Sequence, residues 1–355
     1  MLLTVFTWRM PTNPDPRKSM EIIVGALVFF SFAAVIGTVN PWIGLFFGLC
    51  IVWSRYPVTT PISLESLGAV FIAMVWFYVC VQLMNTPKRI DLILGIFCLI
   101  GLANVIMLSV QYFNCDAGVQ VDHRIGLKSD DIKVGLMDCR NSVSALLAIS
   151  LPAFFRKKWC YFIPFIILGL VLAKTTGGFI SAGFVGATWL IYYLKRWTHK
   201  AILIFVIVCA VAGYITFIDV PGMVGRISAW TEAKTLFFKH PISGAGLGHW
   251  KVIFFHKQAK TLNTYYAQGH NEFIQVAVEM GILSIITIIG YFWSVIKRMR
   301  PGAVIPGLAL LALCVDSLVF FPMHIWFLSI LAVTWLAILE VTLNSERKMT
   351  DAKTG

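Results

Sequence analysis

The residues equipped for chemistry gather in two polar intervals of an otherwise apolar chain. The longer interval, 219–269, carries Arg226 and the run His240-Pro241-Ile242-Ser243-Gly244-Ala245-Gly246-Leu247-Gly248, and it leads into Gly269-His270-Asn271-Glu272. A neutral imidazole near pH 7 can take a proton from an attacking hydroxyl, so His270 is a candidate general base. The planar fork of a guanidinium matches phosphate oxygens, which suits Arg226 to an anionic leaving group. Arg226 is expected at the start of a helix, where outward-pointing backbone N–H groups add to an anion site. Glu279 stands seven residues after Glu272 and therefore on the same helical face. Either carboxylate could orient the imidazole. Glycines at alternate positions, Gly244, Gly246 and Gly248, permit tight turns and close approach of a ligand to backbone N–H groups.

The shorter interval, 114–140, supplies Arg124 and Arg140, with Asn141 leading into the next apolar stretch. Lys174 precedes Thr175-Thr176-Gly177-Gly178 at the end of another. A lysine there ordinarily snorkels to lipid headgroups, and phosphate ligation is the second option. Cys115 and Cys139 bracket the shorter interval. A disulfide between them would tie down that loop in a compartment that permits one.

Other chemistries lack their residues. There is no Gly-x-Ser-x-Gly elbow for a serine triad. The histidines show no ligand spacing such as His-x-x-x-His, so no metal or other cofactor is expected. The glycine run is neither a P-loop nor a dinucleotide fingerprint, since no strand precedes it and no Gly-Lys-Ser/Thr follows.

These residues must be positioned by membrane helices. Of 355 residues, 58% are hydrophobic and 13% charged, and the mean hydropathy is +0.81; a soluble domain has about 25% charged residues. Apolar runs of around 20 residues, the length that crosses a hydrocarbon core, recur throughout. The expected fold is all-α, a polytopic bundle of about 11 transmembrane helices (10–12) forming one membrane domain over 1–355. The expected spans are 21–38, 41–53, 64–84, 90–113, 141–155, 159–173, 177–194, 201–218, 270–296, 303–321 and 325–343. Met1–Trp8 is apolar but too short for a cleavable signal. The net charge of +12 does not imply nucleic acid, because the excess falls in short loops. Lys88/Arg89, Arg156/Lys157/Lys158, Lys195/Arg196/Lys200, Lys297/Arg298/Arg300 and Arg347/Lys348 all fall on one side, the cytoplasmic one. The N-terminal Arg9, Arg17 and Lys18 run against that count. The two polar intervals, 114–140 and 219–269, then lie on the outer face. Within the second, Ile227, Trp230, Ala233, Leu236 and Phe237 recur at helical spacing, as in an amphipathic helix lying in the membrane interface.

The order of these features resembles the O-antigen ligase family. The resemblance rests on Arg226-x-x-x-Trp230, His240-Pro241-x-x-Gly244-x-Gly246-x-Gly248, His270-Asn271-Glu272 and Glu279-x-Gly281. It extends more loosely to Arg124-Ile125-Gly126 followed by Asn141. One departure is Thr175-Thr176-Gly177, where the family often has Ser-Arg-Gly; Lys174 is the nearest cation to stand in. The resemblance implies an integral-membrane glycosyltransferase of the bacterial inner membrane, active on its periplasmic side. It would move a glycan from undecaprenyl diphosphate to an acceptor hydroxyl, most simply on lipid A–core. His270 would be the base, and Arg226, Arg124, Arg140 and Lys174 would hold the diphosphate, with Asn141, Glu272, Glu279 and Gly246 in support. The nearest alternative keeps this chemistry but extends a polysaccharide on a second lipid-linked chain. An alternative of another class is a transporter or flippase for lipid-linked glycan. Transporters place ionisable residues near mid-membrane, whereas here Asp316 is the main such residue and the polar groups gather in loops.

Overall fold

The computed structural model describes residues 40–53, 60–113, 134–137, 139–194, 220–250 and 268–354. All regular structure among them is helical. The α-helices are α1 (Pro41–Trp53), α2 (Thr60–Leu83), α3 (Pro87–Phe113), α4 (Arg140–Phe154), α5 (Ile163–Ala173), α6 (Thr176–Tyr193), α7 (Val220–Lys239), α8 (Glu272–Arg298), α9 (Val304–Asp316) and α10 (Trp326–Thr354). The expected spans 21–38 and 201–218 lie outside the described residues, as do Arg124 and Cys115. Cys139, the other half of the expected disulfide, is a free thiol with its Sγ 3.0 Å from Ser142 Oγ.

By length and composition, three helical stretches among the described residues can cross a membrane: Pro87–Phe113, Glu272–Arg298 and Trp326–Ser345. The shorter apolar helices include Pro41–Cys50, Gly68–Leu83, Cys160–Ala173 and Pro301–Asp316. At 1.5 Å per residue, α4 rises only about 22 Å. The expected span 303–321 needs correction. Its α-helix stops at Asp316, and turns and a single 3-10 turn at Pro322–His324 lead to α10. Pro322 accounts for part of this, because it cannot donate a backbone bond and keeps the residue before it out of the helical region. Phe321 has φ −131° and ψ 60°.

The chain packs as two compact units. The second comprises Val75–Trp230, Gln268–Phe273 and Arg298–Gly355. Its centre is α4, which is buried on every side from Ser142 to Phe154, as an all-round apolar helix must be. Helices α3, α5, α6 and α9 pack around it. Two glycines let them come close. A Cβ on Gly169 would stand 2.6 Å from Val105 Cγ2, and one on Gly178 would stand 2.5 Å from Ser144 Cβ. The end of the 114–140 interval is held by side chains of α3. Gln111 both donates to Gly135 O (3.0 Å) and accepts from Gly135 N (2.8 Å), and Asn104 Oδ1 accepts from Leu136 N (3.0 Å).

The first unit comprises Met1–Met74, Thr231–Ala267 and Ile274–Lys297. Its described core joins Trp250, Ala233 and Val278 in one cluster, and Cys50, Leu247 and Met280 in another.

Candidate active site

In the second unit the site is built around the non-helical stretch that follows α9. Three carbonyls in a row are used as acceptors. Ser317 O takes Glu272 N (2.9 Å), Leu318 O takes Asn271 Nδ2 (3.0 Å), and Val319 O takes Arg226 Nη1 (3.2 Å). Because the α-helix ends at Asp316, these carbonyls are free to serve side chains from elsewhere. Glu272 secures the far end of the stretch. Its Oε1 accepts from Met323 N at 2.8 Å, and its Oε2 lies 3.1 Å from His324 Nδ1. Trp230 Nε1 donates to Gly269 O at 2.8 Å, tying α7 to the residue before His270.

His270 sits on this platform in a left-handed conformation, φ 48°. Its ring meets Phe321 edge-on, with centroids 4.9 Å apart. Burial, aided by the nearby Arg226 guanidinium, pulls the imidazole pKa down from 6.5 to about 4. Both causes penalise the protonated form, so His270 is neutral at pH 7 and able to accept a proton. His270 and Arg226 are thus fastened to residues two apart, Phe321 and Val319. Asn271 and Glu272 hold the same stretch in place.

The start of α6 adjoins it. A Cβ on Gly177 would stand 2.9 Å from Asp316 Oδ1 and 3.2 Å from Val319 Cγ2. Asp316 is only 1% exposed, and its Oδ2, like Thr175 Oγ1, is buried without a hydrogen-bond partner among the described residues. Gly178 touches Ser144 in the first turn of α4, and Ser144 Oγ donates to Asn141 O at 3.0 Å. Arg140, the first residue of α4, has its Nε buried and without a partner. A guanidinium with a spare Nε–H at a helix N-terminus is suited to an anion. Lys174 is placed differently. It caps α5 in the left-handed region, φ 52°, a position glycine usually takes, and its exposed ammonium lies 5.8 Å from the centroid of the Tyr112 ring.

Two expectations change. Helix α7 starts at Val220, with Pro221 in its first turn, where proline is readily accommodated. Arg226 is therefore about two turns inside the helix, and its anion-binding capacity rests on the guanidinium and not on free backbone N–H groups. The carboxylates are also engaged otherwise than expected. The Glu272 bonds just described fix the platform, and those of Glu279 fix the glycine loop. None of these bonds reaches the His270 ring.

In the first unit, Glu279 organises the loop 240–250. Its Oε2 accepts from Gly248 N (2.8 Å) and its Oε1 from Trp250 N (3.0 Å) and Gln275 Nε2 (3.2 Å). The loop also pairs with α8 through its backbone. Ala245 N donates to Val278 O, Gly246 N to Glu279 O, and Ile282 N to Pro241 O, at 2.8–2.9 Å. Val278 O, Glu279 O and Ile282 N are available for these bonds because α8 breaks at Gly281, φ 72° and ψ −174°. A Cβ on Gly281 would stand 2.1 Å from Ile242 O, and one on Gly244 would stand 2.4 Å from Glu279 O. The motif pairing His240–Gly248 with Glu279-x-Gly281 is thus a docking device. Gly281→Ala faces both a backbone collision and a disfavoured φ. Its expected result is loss of folded protein, seen as a collapsed yield of monodisperse material in size-exclusion chromatography. Normal yield with an unchanged melting temperature would refute that account of the break.

The parts define a class first: a helical integral-membrane protein with a half-buried neutral imidazole near a guanidinium. The match to a known family is more specific. The O-antigen ligase family model matches residues 161–289, which include Arg226, the glycine loop, His270 and Glu279. This supports the resemblance seen in the residues: over 161–289 the chain is similar to the O-antigen ligase family. At family level the match supports a membrane glycosyltransferase of the ligase or polymerase type. A search of the curated proteins found no match.

Proposed function

We propose that this protein transfers a glycan from undecaprenyl diphosphate to a hydroxyl of lipid A–core, at the periplasmic face of a bacterial inner membrane. His270 removes the acceptor proton. The oxygen forms its bond to the anomeric carbon as the bond from that carbon to the diphosphate oxygen breaks, and undecaprenyl diphosphate leaves with the electron pair. Arg226 and Arg140, with Arg124 and Lys174 as further cations, neutralise the charge that develops on the leaving group. Preformed cations in a site shielded from water are effective there, so this scheme requires no metal.

The observation that carries the proposal is the pairing of His270 with Arg226 on one short stretch, 319–321. Burial and the cation together hold the base in its unprotonated form. The family match supports the same chemistry.

The test incubates purified protein with lipid-linked glycan and either lipid A–core or a second molecule of the lipid-linked glycan. The expected product is glycan on lipid A–core with release of undecaprenyl diphosphate. Chain extension in the second arm alone would make the protein a polymerase. Glycan movement across sealed vesicles that survives His270→Ala would replace the enzyme with a transporter.

A further inference from the structure

Helix α3 presents Leu92, Ile96 and Leu99 on one face, at the i, i+4, i+7 spacing that aligns side chains along a helix. Leu92 is 66% exposed and Leu99 58%. Between them Gly95 has no side chain, so the face dips. The floor of the dip is Trp159, whose Cζ2 would stand 3.7 Å from a Cβ on Gly95. Asp91, Leu92, Gly95, Ile96, Leu99, Lys158 and Trp159 line a groove of about 310 Å³. Its walls are apolar along the helix and polar at the Asp91/Lys158 end.

Charge distinguishes that end. Asp91 is engaged by Arg156, with Nη2 to Oδ1 at 2.5 Å. Arg89 is folded back on Leu83 O and Asn85 Oδ1. Lys157 and Lys158 are exposed and have no ion-pair partner among the described residues. The Lys158 end therefore carries surplus positive charge once Asp91 has been matched by Arg156. An apolar channel with an unmatched ammonium at one end and an indole at the boundary complements an amphiphile with a negatively charged head. Indole rings favour that polar–apolar boundary.

We propose that this groove binds an anionic phospholipid of the surrounding bilayer, with the acyl chain along Leu92, Gly95, Ile96 and Leu99 and the phosphate at Lys158. The inference depends on membrane residence and not on which glycan is transferred. All its residues lie in the second unit.

The probes are phosphatidylglycerol, phosphatidylethanolamine and phosphatidylcholine, presented to the full-length protein in detergent and read by native mass spectrometry as lipid retained. The wild type is expected to retain phosphatidylglycerol preferentially. One cation near a lipid surface contributes roughly a fivefold preference for anionic lipid, so Lys158→Gln should cut phosphatidylglycerol retention about fivefold and leave phosphatidylcholine unchanged. Lys158→Arg should restore it. Gly95→Leu fills the dip and should reduce retention of all three lipids. Since that variant could also disturb packing, dibrominated phosphatidylglycerol supplies a second measurement on unaltered α3. It should quench wild-type fluorescence more than that of Trp159→Phe. Equal retention of the three lipids, a preference for phosphatidylethanolamine, or a phosphatidylglycerol preference that survives Lys158→Gln would each overturn the proposal.

Discussion

Replacing His270 with asparagine is expected to lower the transfer rate by about 10²- to 10⁴-fold, the range that a positioned general base contributes. Asparagine is a better test than alanine because His270 is left-handed, φ 48°, and asparagine tolerates that region without supplying a base. His270→Ala should lose as much activity but adds backbone strain. Both proteins should remain folded by circular dichroism, and near-normal turnover in His270→Asn would remove the residue from the mechanism.

The pH profile separates this role from a structural one. The base works when unprotonated, and its pKa is lowered to about 4. The acid limb of kcat/KM, which reports the free enzyme, should therefore lie well below the 6.5 of an ordinary histidine. Activity should be level in this group from about pH 6 to 8. Stability follows the same sign. Between about pH 4 and 6.5, the unfolded chain binds a proton that the folded one does not. His270's contribution to unfolding free energy thus falls as pH drops through that window. A limb centred near 6.5 that vanishes in His270→Asn would show a base that is not shielded.

The chemistry-bearing side chains were legible in the sequence because their types are rare among apolar spans. His270, Arg226 and the alternating glycines stand out for that reason, and the amphipathic spacing at Ile227, Trp230 and Ala233 locates α7. The platform they rest on was not legible. Leu318-Val319-Phe320-Phe321 has the composition of a membrane span, and a carbonyl that serves a distant arginine leaves no mark in the sequence. Pro322 was the available signal that the helix could not continue. Val220-Pro221 likewise marked where α7 begins. The function of Glu279 was hidden for a different reason: a carboxylate that accepts backbone N–H groups has the same sequence signature as one that orients an imidazole. Gly281 could be picked out as part of a motif, but its need for positive φ follows only from the approach of the 240–250 loop.

Arg226→Ala is expected to lower kcat/KM by roughly 10²- to 10³-fold, the scale on which one preorganised charge-stabilising donor acts. Two interactions go together: the cation facing the proposed diphosphate and the Nη1 bond to Val319 O. Arg226→Lys separates them. A lysine keeps the charge but is a point donor without the fork, so it cannot span a phosphate oxygen and the carbonyl as the guanidinium does. Partial activity, below wild type and above Arg226→Ala, is the expected outcome. Arg226→Gln adds a test through His270. Arg226 is the second cause of the lowered imidazole pKa, after burial. Removing its charge should raise that pKa and move the acid limb of the residual activity to higher pH. A structural arginine that only tied α7 to Val319 would lower stability and leave the limb in place. Full activity in Arg226→Lys would dispose of the two-pronged contact, and an unmoved limb in Arg226→Gln would show that the guanidinium and the imidazole do not share a site.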